Sequence, residues 1–459
     1  MIKFCNLYLP SRLFFFIMFD AAFLSVALLA ALNAGDLHTV MGWRLVAAVL
    51  AGGLVCLSCL YIFDLYDLDL TRSVPDVLLH GLRAMGSGIL LLTPIWWLLV
   101  PNGPSYAFLE GSLIAFILVL CLYRLVVDWV HHRVLPGERV LLVGDAPSIP
   151  LLAAAMNEKK CLPLRMSGVI SESSEYNVEA LAFATCGHLG EFDALVRSFC
   201  PDRIAIGVER GAPQISAREL VDLRRRGIRI DDASALYEAI SGRVPVEMID
   251  YDALAYGKGF SVSPFAGGLY RIFGFFLALL LATLLSPLIL LLIAFIKLDS
   301  KGPVFFKQER VGLNGQSFFA YKLRSMRVDA ESLSGPVWAT ENDPRITRVG
   351  RVLRKLRLDE LPQLWNVMRG DMTFVGPRPE RPHFVEMLEQ HIPYYALRHS
   401  VRPGITGWAQ VCASYGSDIA ESRVKLEFDL FYLKNQSPLF DALIMLKTVK
   451  IALFGRGAR

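Results

Sequence analysis

The sequence predicts a membrane protein of mixed α and α/β class: a four-helix transmembrane bundle, then a small parallel α/β domain, then a mainly helical C-terminal domain. Three observations carry this reading. Of 459 residues, 54% are hydrophobic and mean hydropathy is +0.43, too apolar for an ordinary soluble chain. The apolar residues gather into runs long enough to cross a bilayer, which takes roughly 20 residues. From about Gly137, short β-rich and helical runs alternate, as in a parallel sheet with crossover helices.

Residues 1–133 hold four candidate spans, at about 13–34, 45–63, 84–100 and 107–130. The first does not read as a cleaved signal, because Asp20 interrupts it and Leu32-Asn33-Ala34 lacks small residues at both key positions. Lys3 and Arg12 precede the first span, and Arg72 and Arg83 flank the loop between the second and third. Arg124, His131, His132 and Arg133 follow the fourth. The connection "VPNGPSYAFLEGS" has no Lys or Arg, and the first connection has only Arg44. The positive-inside rule therefore puts both ends of the bundle in the cytoplasm, with the protein in an inner membrane. Asp20 needs a partner or an interfacial position, and a structural role in bundle packing is expected for it.

Over 137–250 the runs "ERVLLVGD", "RIAIGVER" and "IRID" read as strands, and "IPLLAAAMNEK" and "ARELVDLRRRG" as helices. This is a Rossmann-like alternation. The first turn reads Gly144-Asp-Ala-Pro-Ser, without the second and third glycines of a dinucleotide loop. A regulatory or assembly domain is expected here ahead of an NAD-dependent oxidoreductase.

Residues 297–459 carry 25 Lys+Arg against 17 Asp+Glu, a net of +8 within a chain of net +4. A basic block beside a membrane segment suits anionic lipid headgroups, phosphorylated substrates, or both. No aromatic-interleaved basic stripe argues for nucleic acid. The eight cysteines show no paired metal spacing, and Cys56-Leu-Ser-Cys59 lies inside an apolar span, where packing is its expected role. The closing "DALIMLKTVKIALFGRGAR" suits either an anionic surface or a core-facing helix.

The chemistry concentrates in "GRVLRKLRLDELPQLWNVMRGDMTFVGPRPERP" (350–382). Asp359 and Glu360 are adjacent carboxylates behind Arg351, Arg354, Lys355 and Arg357. Pro362 fits the first turn of a new helix, which sets Asp359 beside unpaired backbone N–H groups. Asp359 could simply cap that helix. Yet Gly376-Pro-Arg378-Pro and Arg402-Pro-Gly404 present cations on stiff turns, and Lys322 and Arg324 follow "QERVGLNGQ". Rigid cations around an acidic pair suit a diphosphate.

Together "QERVGLNGQSFFAYKLRSM", "LRKLRLDELPQLWNVMRGDMTFVGPRP", "RPGITGWAQV" and "GRGAR" resemble the large bacterial polyprenyl-phosphate sugar-phosphate transferases. These are monotopic phosphoglycosyl transferases that begin exopolysaccharide, capsule or O-antigen synthesis. The catalytic resemblance covers about 264–459. It implies that a UDP-sugar and undecaprenyl phosphate give undecaprenyl-diphosphate-sugar and UMP. By resemblance, Asp359 is the nucleophile of a covalent aspartyl-phosphosugar step. Glu360 is its neighbouring carboxylate, and the pair supports Mg2+. Lys322, Arg324, Arg354, Arg378 and Arg402 are expected to contact phosphate or nucleotide, with structural pairing as the alternative. A homodimer through the N-terminal half is a further expectation. The rival reading is a catalytically inactive membrane scaffold or sensor for polysaccharide assembly.

Ile272–Ile296 carry no charge. Pattern alone fits a kinked span, since Pro287 removes one hydrogen bond and Ser286 can satisfy a freed group. The resemblance implies instead a re-entrant helix over about 270–297, broken at Ser286-Pro287. It would enter and leave on the cytoplasmic face and hold Asp359 at headgroup level among the membrane lipids.

Overall fold

The computed structural model describes residues 2–4, 7–9, 11–33, 42–67, 74–99, 106–134, 137–144, 147–158, 164–171, 186–187, 189–207, 215–246, 249, 264–327, 343–413 and 418–454. The chain divides into two compact units, Met1–Ile240 and Ser241–Arg459. Of the motifs quoted above, "GRGAR" lies outside the described residues.

The first unit begins with an antiparallel hairpin, β1 (Ile2–Phe4) and β2 (Leu7–Leu9). Four long helices follow: α1 (Ser11–Asn33), α2 (Gly42–Ile62), α3 (Val74–Leu99) and α4 (Tyr106–Val134). Leu24, Leu28, Leu60, Leu92 and Leu120 belong to one apolar cluster between them. Leu50, Leu54, Leu90, Trp97 and Leu122 are nevertheless exposed on the outside. Among the described residues two windows are long and apolar enough to cross a membrane, Pro75–Ile95 and Gly267–Leu284. Leu13–Leu29, Val46–Ile62 and Ile114–Val127 are shorter apolar stretches.

Five arginines counted toward loop charge lie inside helices instead: Arg12, Arg44, Arg83, Arg124 and Arg133. Helix α3 starts at Val74, ten residues before the apolar run, so Arg83 is within it. Arg124 is within α4, and its Nη2 stands 3.3 Å from Asp20 Oδ2 with both residues buried. Tyr123 donates its hydroxyl to Asp20 Oδ1, and Arg124 Nη1 donates to the Leu65 carbonyl. A charge inside an apolar bundle persists only with such partners. Asp20 thus links α1 to α4.

The rest of this unit is a five-stranded parallel sheet in the order β5-β4-β3-β6-β7. Its strands are β3 (Glu138–Val143), β4 (Leu164–Ile170), β5 (Cys186–Gly187), β6 (Arg203–Ile206) and β7 (Arg229–Asp232). Helices α5 (Ser148–Glu158) and α8 (Ala233–Ser241) share one apolar cluster with β3, whose other face packs with α6 (Phe192–Phe199) and α7 (Ala217–Arg225). Val140–Val143 are fully buried, as a central strand covered on both faces requires. Ser216 and Glu219 form a reciprocal capping box at the start of α7.

The second unit is mainly helical. Helix α9 (Pro264–Leu284) and helix α10 (Ser286–Asp299) are separated by Leu285 alone. Pro287 has no N–H to offer the Thr283 carbonyl four residues back, and the Ser286 hydroxyl donates there instead at 2.8 Å. The strands β8 (Phe305–Val311) and β9 (Ser317–Leu323) form an antiparallel hairpin. Then come α11 (Arg348–Lys355), a 3-10 turn at Leu358–Glu360, α12 (Gln363–Arg369) and β10 (Thr373–Val375). Helix α13 (Pro382–His391), a 3-10 segment at Tyr395–Ser400 and β11 (Gly404–Thr406) follow. The described part ends with α14 (Trp408–Cys412), α15 (Ile419–Asn435) and α16 (Pro438–Phe454).

Both arms of the broken helix pack on this same unit. Ala278 of α9 lies in a cluster with Leu364, Val367 and Met372. Leu292 and Ile296 of α10 lie in another with Leu323 and Leu353. Their remaining faces stay apolar and exposed at Phe273, Phe276, Leu280, Leu284, Leu290 and Leu291.

Candidate active site

The acidic pair sits where two leucines pin a tight turn. Leu358 and Leu361 join the apolar cluster of α10, and the 3-10 turn between them turns Asp359 and Glu360 into the unit. The pair is buried, at 8% and 7% exposure. Arg357 enters this turn at φ 57°, a left-handed conformation uncommon outside glycine.

Glu360 is the hub. Its Oε1 accepts from Lys322 Nζ at 3.0 Å and Arg378 Nη2 at 2.8 Å, and Arg357 Nη1 lies 3.9 Å from Oε2. Burial alone would raise this carboxyl. Arg378, Lys322 and Arg357 together overcome it and hold Glu360 well below the usual carboxylate range. Burial pulls the Lys322 ammonium down, against the opposing pull of Glu360. Asp359 has the opposite fate. Burial raises its carboxyl despite the Lys322 charge, and Glu360 beside it adds to the rise. Among the described residues nothing hydrogen-bonds to the Asp359 carboxylate. Two adjacent carboxyls are thus driven apart, one locked as a salt-bridged anion and one desolvated and unengaged.

The expected cations divide. Lys322 on β9 and Arg378 in the Gly376–Arg381 turn reach the pair. Arg354, in the last turn of α11, is near enough for its charge to favour ionised Asp359. Arg324 goes elsewhere: it is buried, and its Nη1 and Nη2 donate to the carbonyls of Lys301 (3.1 Å) and Ser300 (2.7 Å) beyond the end of α10. Arg402 Nε donates to the Gly370 carbonyl at 3.1 Å, at the C-terminus of α12. Neither contacts Asp359 or Glu360, and both close helix ends. These bonds to main-chain oxygens are the structural pairing weighed against a phosphate role for the two side chains. Ser286 and Pro287 do sit at the helix break.

Sequence reasoning missed Arg310 and the Arg398–Asp429 pair. In the β8–β9 register Arg310 shares a face with Gln308 and Lys322, an alternation that "FFKQERV" could have revealed. Arg398 and Asp429 are 31 positions apart, with no signal linking them. Gly376 and Gly404 let β10 and β11 cross closely: a Cβ on Gly404 would stand 2.1 Å from the Gly376 nitrogen.

Comparison with known proteins agrees in location with this site. A family model described as bacterial sugar transferase matches residues 266–455. A UDP-N-acetylgalactosamine-undecaprenyl-phosphate N-acetylgalactosaminephosphotransferase of Aeromonas hydrophila is 44% identical over 222 residues, 48% of this chain and 52% of that protein. The chain therefore spans about half the length of that relative. A UDP-glucose:undecaprenyl-phosphate glucose-1-phosphate transferase of Klebsiella pneumoniae is 32% identical over 325 residues, 68% of this chain and 67% of the relative. The exopolysaccharide production protein PSS of Rhizobium leguminosarum bv. phaseoli is 43% identical over 189 residues, 39% of this chain and 93% of the relative.

Proposed function

We propose, from the premise that this chain belongs to the bacterial sugar transferase family, that it transfers a sugar 1-phosphate from a UDP-sugar to undecaprenyl phosphate. UMP is released and undecaprenyl-diphosphate-sugar is formed, the membrane step that initiates an exopolysaccharide, capsule or O-antigen. The observation that carries this reading is the division of labour at the acidic pair: Glu360 gathers Lys322 and Arg378, while Asp359 is buried and unengaged.

In the first displacement an Asp359 carboxylate oxygen attacks the sugar-linked phosphorus of the donor. The bond from that phosphorus to the bridging oxygen breaks, and UMP leaves with the electron pair. In the second, an oxygen of undecaprenyl phosphate attacks the same phosphorus and Asp359 leaves as a carboxylate. Desolvation favours the first step, because a carboxylate without hydrogen-bond donors is the stronger nucleophile; in the second, the charges of Lys322, Arg354 and Arg378 favour the departing carboxylate. Lys322 and Arg378, fixed by Glu360, offset charge on the transferring phosphoryl group. Magnesium belongs to this proposal. Glu360 Oε1 is taken by two cationic side chains, so Asp359 is the carboxylate of the pair open to the ion, which would neutralise diphosphate oxygens when bound.

The proposed setting is the bacterial inner membrane. Helices α1–α4 would span it, and α9–α10 would dip in from the cytoplasmic face and return. The break at Leu285, the packing of both arms on one unit and their exposed apolar faces support this arrangement.

The test is UMP release by purified protein with undecaprenyl phosphate, magnesium and a panel of UDP-sugars, beside Asp359→Asn. Donor-selective release should vanish in the variant, and a phosphosugar adduct on the Asp359 peptide should appear when the acceptor lipid is withheld. Release that survives in the variant would move the nucleophile elsewhere. A folded protein inactive with every donor would favour the scaffold.

A further inference from the structure

We propose that Arg310 and Arg398 are positioning residues for Arg378, two guanidinium groups, one partly and one fully buried, that hold the Gly376–Arg381 turn so that the Arg378 side chain meets Glu360. Pro377 and Pro379 have no N–H, and the segment from Pro377 to Arg381 forms no helix or strand, so the turn cannot brace itself.

Four consecutive carbonyls in it accept from donors outside it, on three different elements. Pro377 accepts from the Gly404 amide of β11 at 3.0 Å. Arg378 accepts from Arg398 Nη2 at 3.0 Å, in the 3-10 segment Tyr395–Ser400. Pro379 accepts from Arg310 Nη1 at 2.8 Å, on β8. Glu380 accepts from the Val311 amide at 2.9 Å. The carbonyl of Arg378 and the one after it are therefore each gripped by a guanidinium.

Each clamp is itself anchored. Arg398 is buried, and its Nε and Nη2 donate to Asp429 Oδ2 at 3.1 and 2.8 Å, while Nη1 donates to the Tyr395 hydroxyl. Arg310 donates Nη2 to Gln308 Oε1, and its Nη1 lies 3.5 Å from Glu380 Oε2. A guanidinium presents donors in a planar fork, so one side chain can serve an anchor and a carbonyl together. A lysine ammonium lacks that fork. The side chain they deliver, Arg378, is partly exposed at 33%. It has a long flexible stem whose position depends on where its backbone is held.

Two measurements test this, and only the second rests on the transferase reading. Hydrogen exchange by mass spectrometry on the full chain in micelles compares wild type with Arg310→Met and Arg398→Lys. Lysine keeps a cation opposite Asp429 and guards against misfolding. Exchange over Thr373–Leu388 should quicken about tenfold, with α15 and α16 unchanged. An unchanged turn, or a rise across the whole unit alike, would overturn the clamp.

The second measurement is UMP release with UDP-glucose and UDP-N-acetylgalactosamine. Each variant should lower kcat/KM about tenfold alone, yet less than about twofold when combined with Arg378→Lys, since both would then act through one group. Effects that multiply would overturn positioning. If the wild type turns over neither donor, the transferase reading fails and the exchange result alone decides the clamp.

Discussion

At the residue scale the central fact is that the carboxyls of Asp359 and Glu360, neighbours in sequence, are shifted in opposite directions by their surroundings. Replacing Glu360 by Gln would remove the anion that Lys322 and Arg378 share, and breaking a buried pair costs on the order of 3 kcal/mol. We expect Glu360→Gln to lower thermal stability and to reduce kcat/KM at least about a hundredfold. Adding Lys322→Met should restore much of the stability and none of the activity, as scanning calorimetry beside turnover would show. Asp441 supplies a pH signature. Burial lifts its carboxyl to about 7, against the Tyr432 hydroxyl that donates to it at 2.9 Å. Its folded value lies above its unfolded one, so its contribution is fully present below about pH 4 and is lost as pH rises through 7. Asp441→Asn should therefore match wild type in Tm near pH 4 and exceed it at pH 8.

At the element scale the break in α9–α10 rests on three adjacent groups: the missing N–H of Pro287, the Thr283 carbonyl it would have served, and the Ser286 hydroxyl that serves it. Ser286→Ala with Pro287→Leu removes both the defect and its local remedy. An uninterrupted helix over 264–299 would be roughly 54 Å long at 1.5 Å per residue, more than enough to cross. In a membrane-impermeant thiol-labelling assay, a cysteine at Lys301 should be reached only from the cytoplasmic side in the wild type. In the double variant a fraction should become reachable from the other side. Labelling of the wild type from the periplasm would sink the re-entrant arrangement.

At the scale of the whole molecule the second unit begins earlier than its first long helix. Trp408 Nε1 donates to the Gly242 carbonyl at 2.9 Å, the Val244 amide donates to Glu427 at 3.1 Å, and Arg243 lies 4.7 Å from the Phe428 ring centroid. The segment 242–246 is thus part of this unit's packing. The Rhizobium relative, 93% of which aligns with about two-fifths of this chain, shows that such a region occurs with little else attached. We expect residues 241–459, made in membranes, to keep donor-selective UMP release within about tenfold of the full chain. A fragment starting at 264 should have a lower Tm, and equal Tm values would show that the docked segment contributes nothing.

Most elements of each region, and the grouping of an acidic pair with rigid cations, were legible in the residues alone. Apolar runs needed only their length to mark α1, α2 and α4. The alternation of "RVLLV", "RIAI" and "IRID" marked three strands of a parallel sheet, and Gly/Pro-braced motifs marked the acidic pair and its cations. These are local properties, set by period and composition. Strand β4 escaped because Arg165, Ser167 and Gly168 break its apolar pattern, while its pairing with β3 makes it a strand. Helix α3 escaped in its first ten residues because His80 and Arg83 lower the hydropathy without disfavouring a helix. Which cation meets which partner was settled by the folded arrangement. Arg324, Arg378, Arg398 and Arg402 look alike in sequence, yet one reaches Glu360, one grips the Gly376–Arg381 turn and two close helix ends. The physical reason is that a guanidinium's role depends on which acceptor lies within about 3 Å, and those acceptors come from elements far apart in the chain.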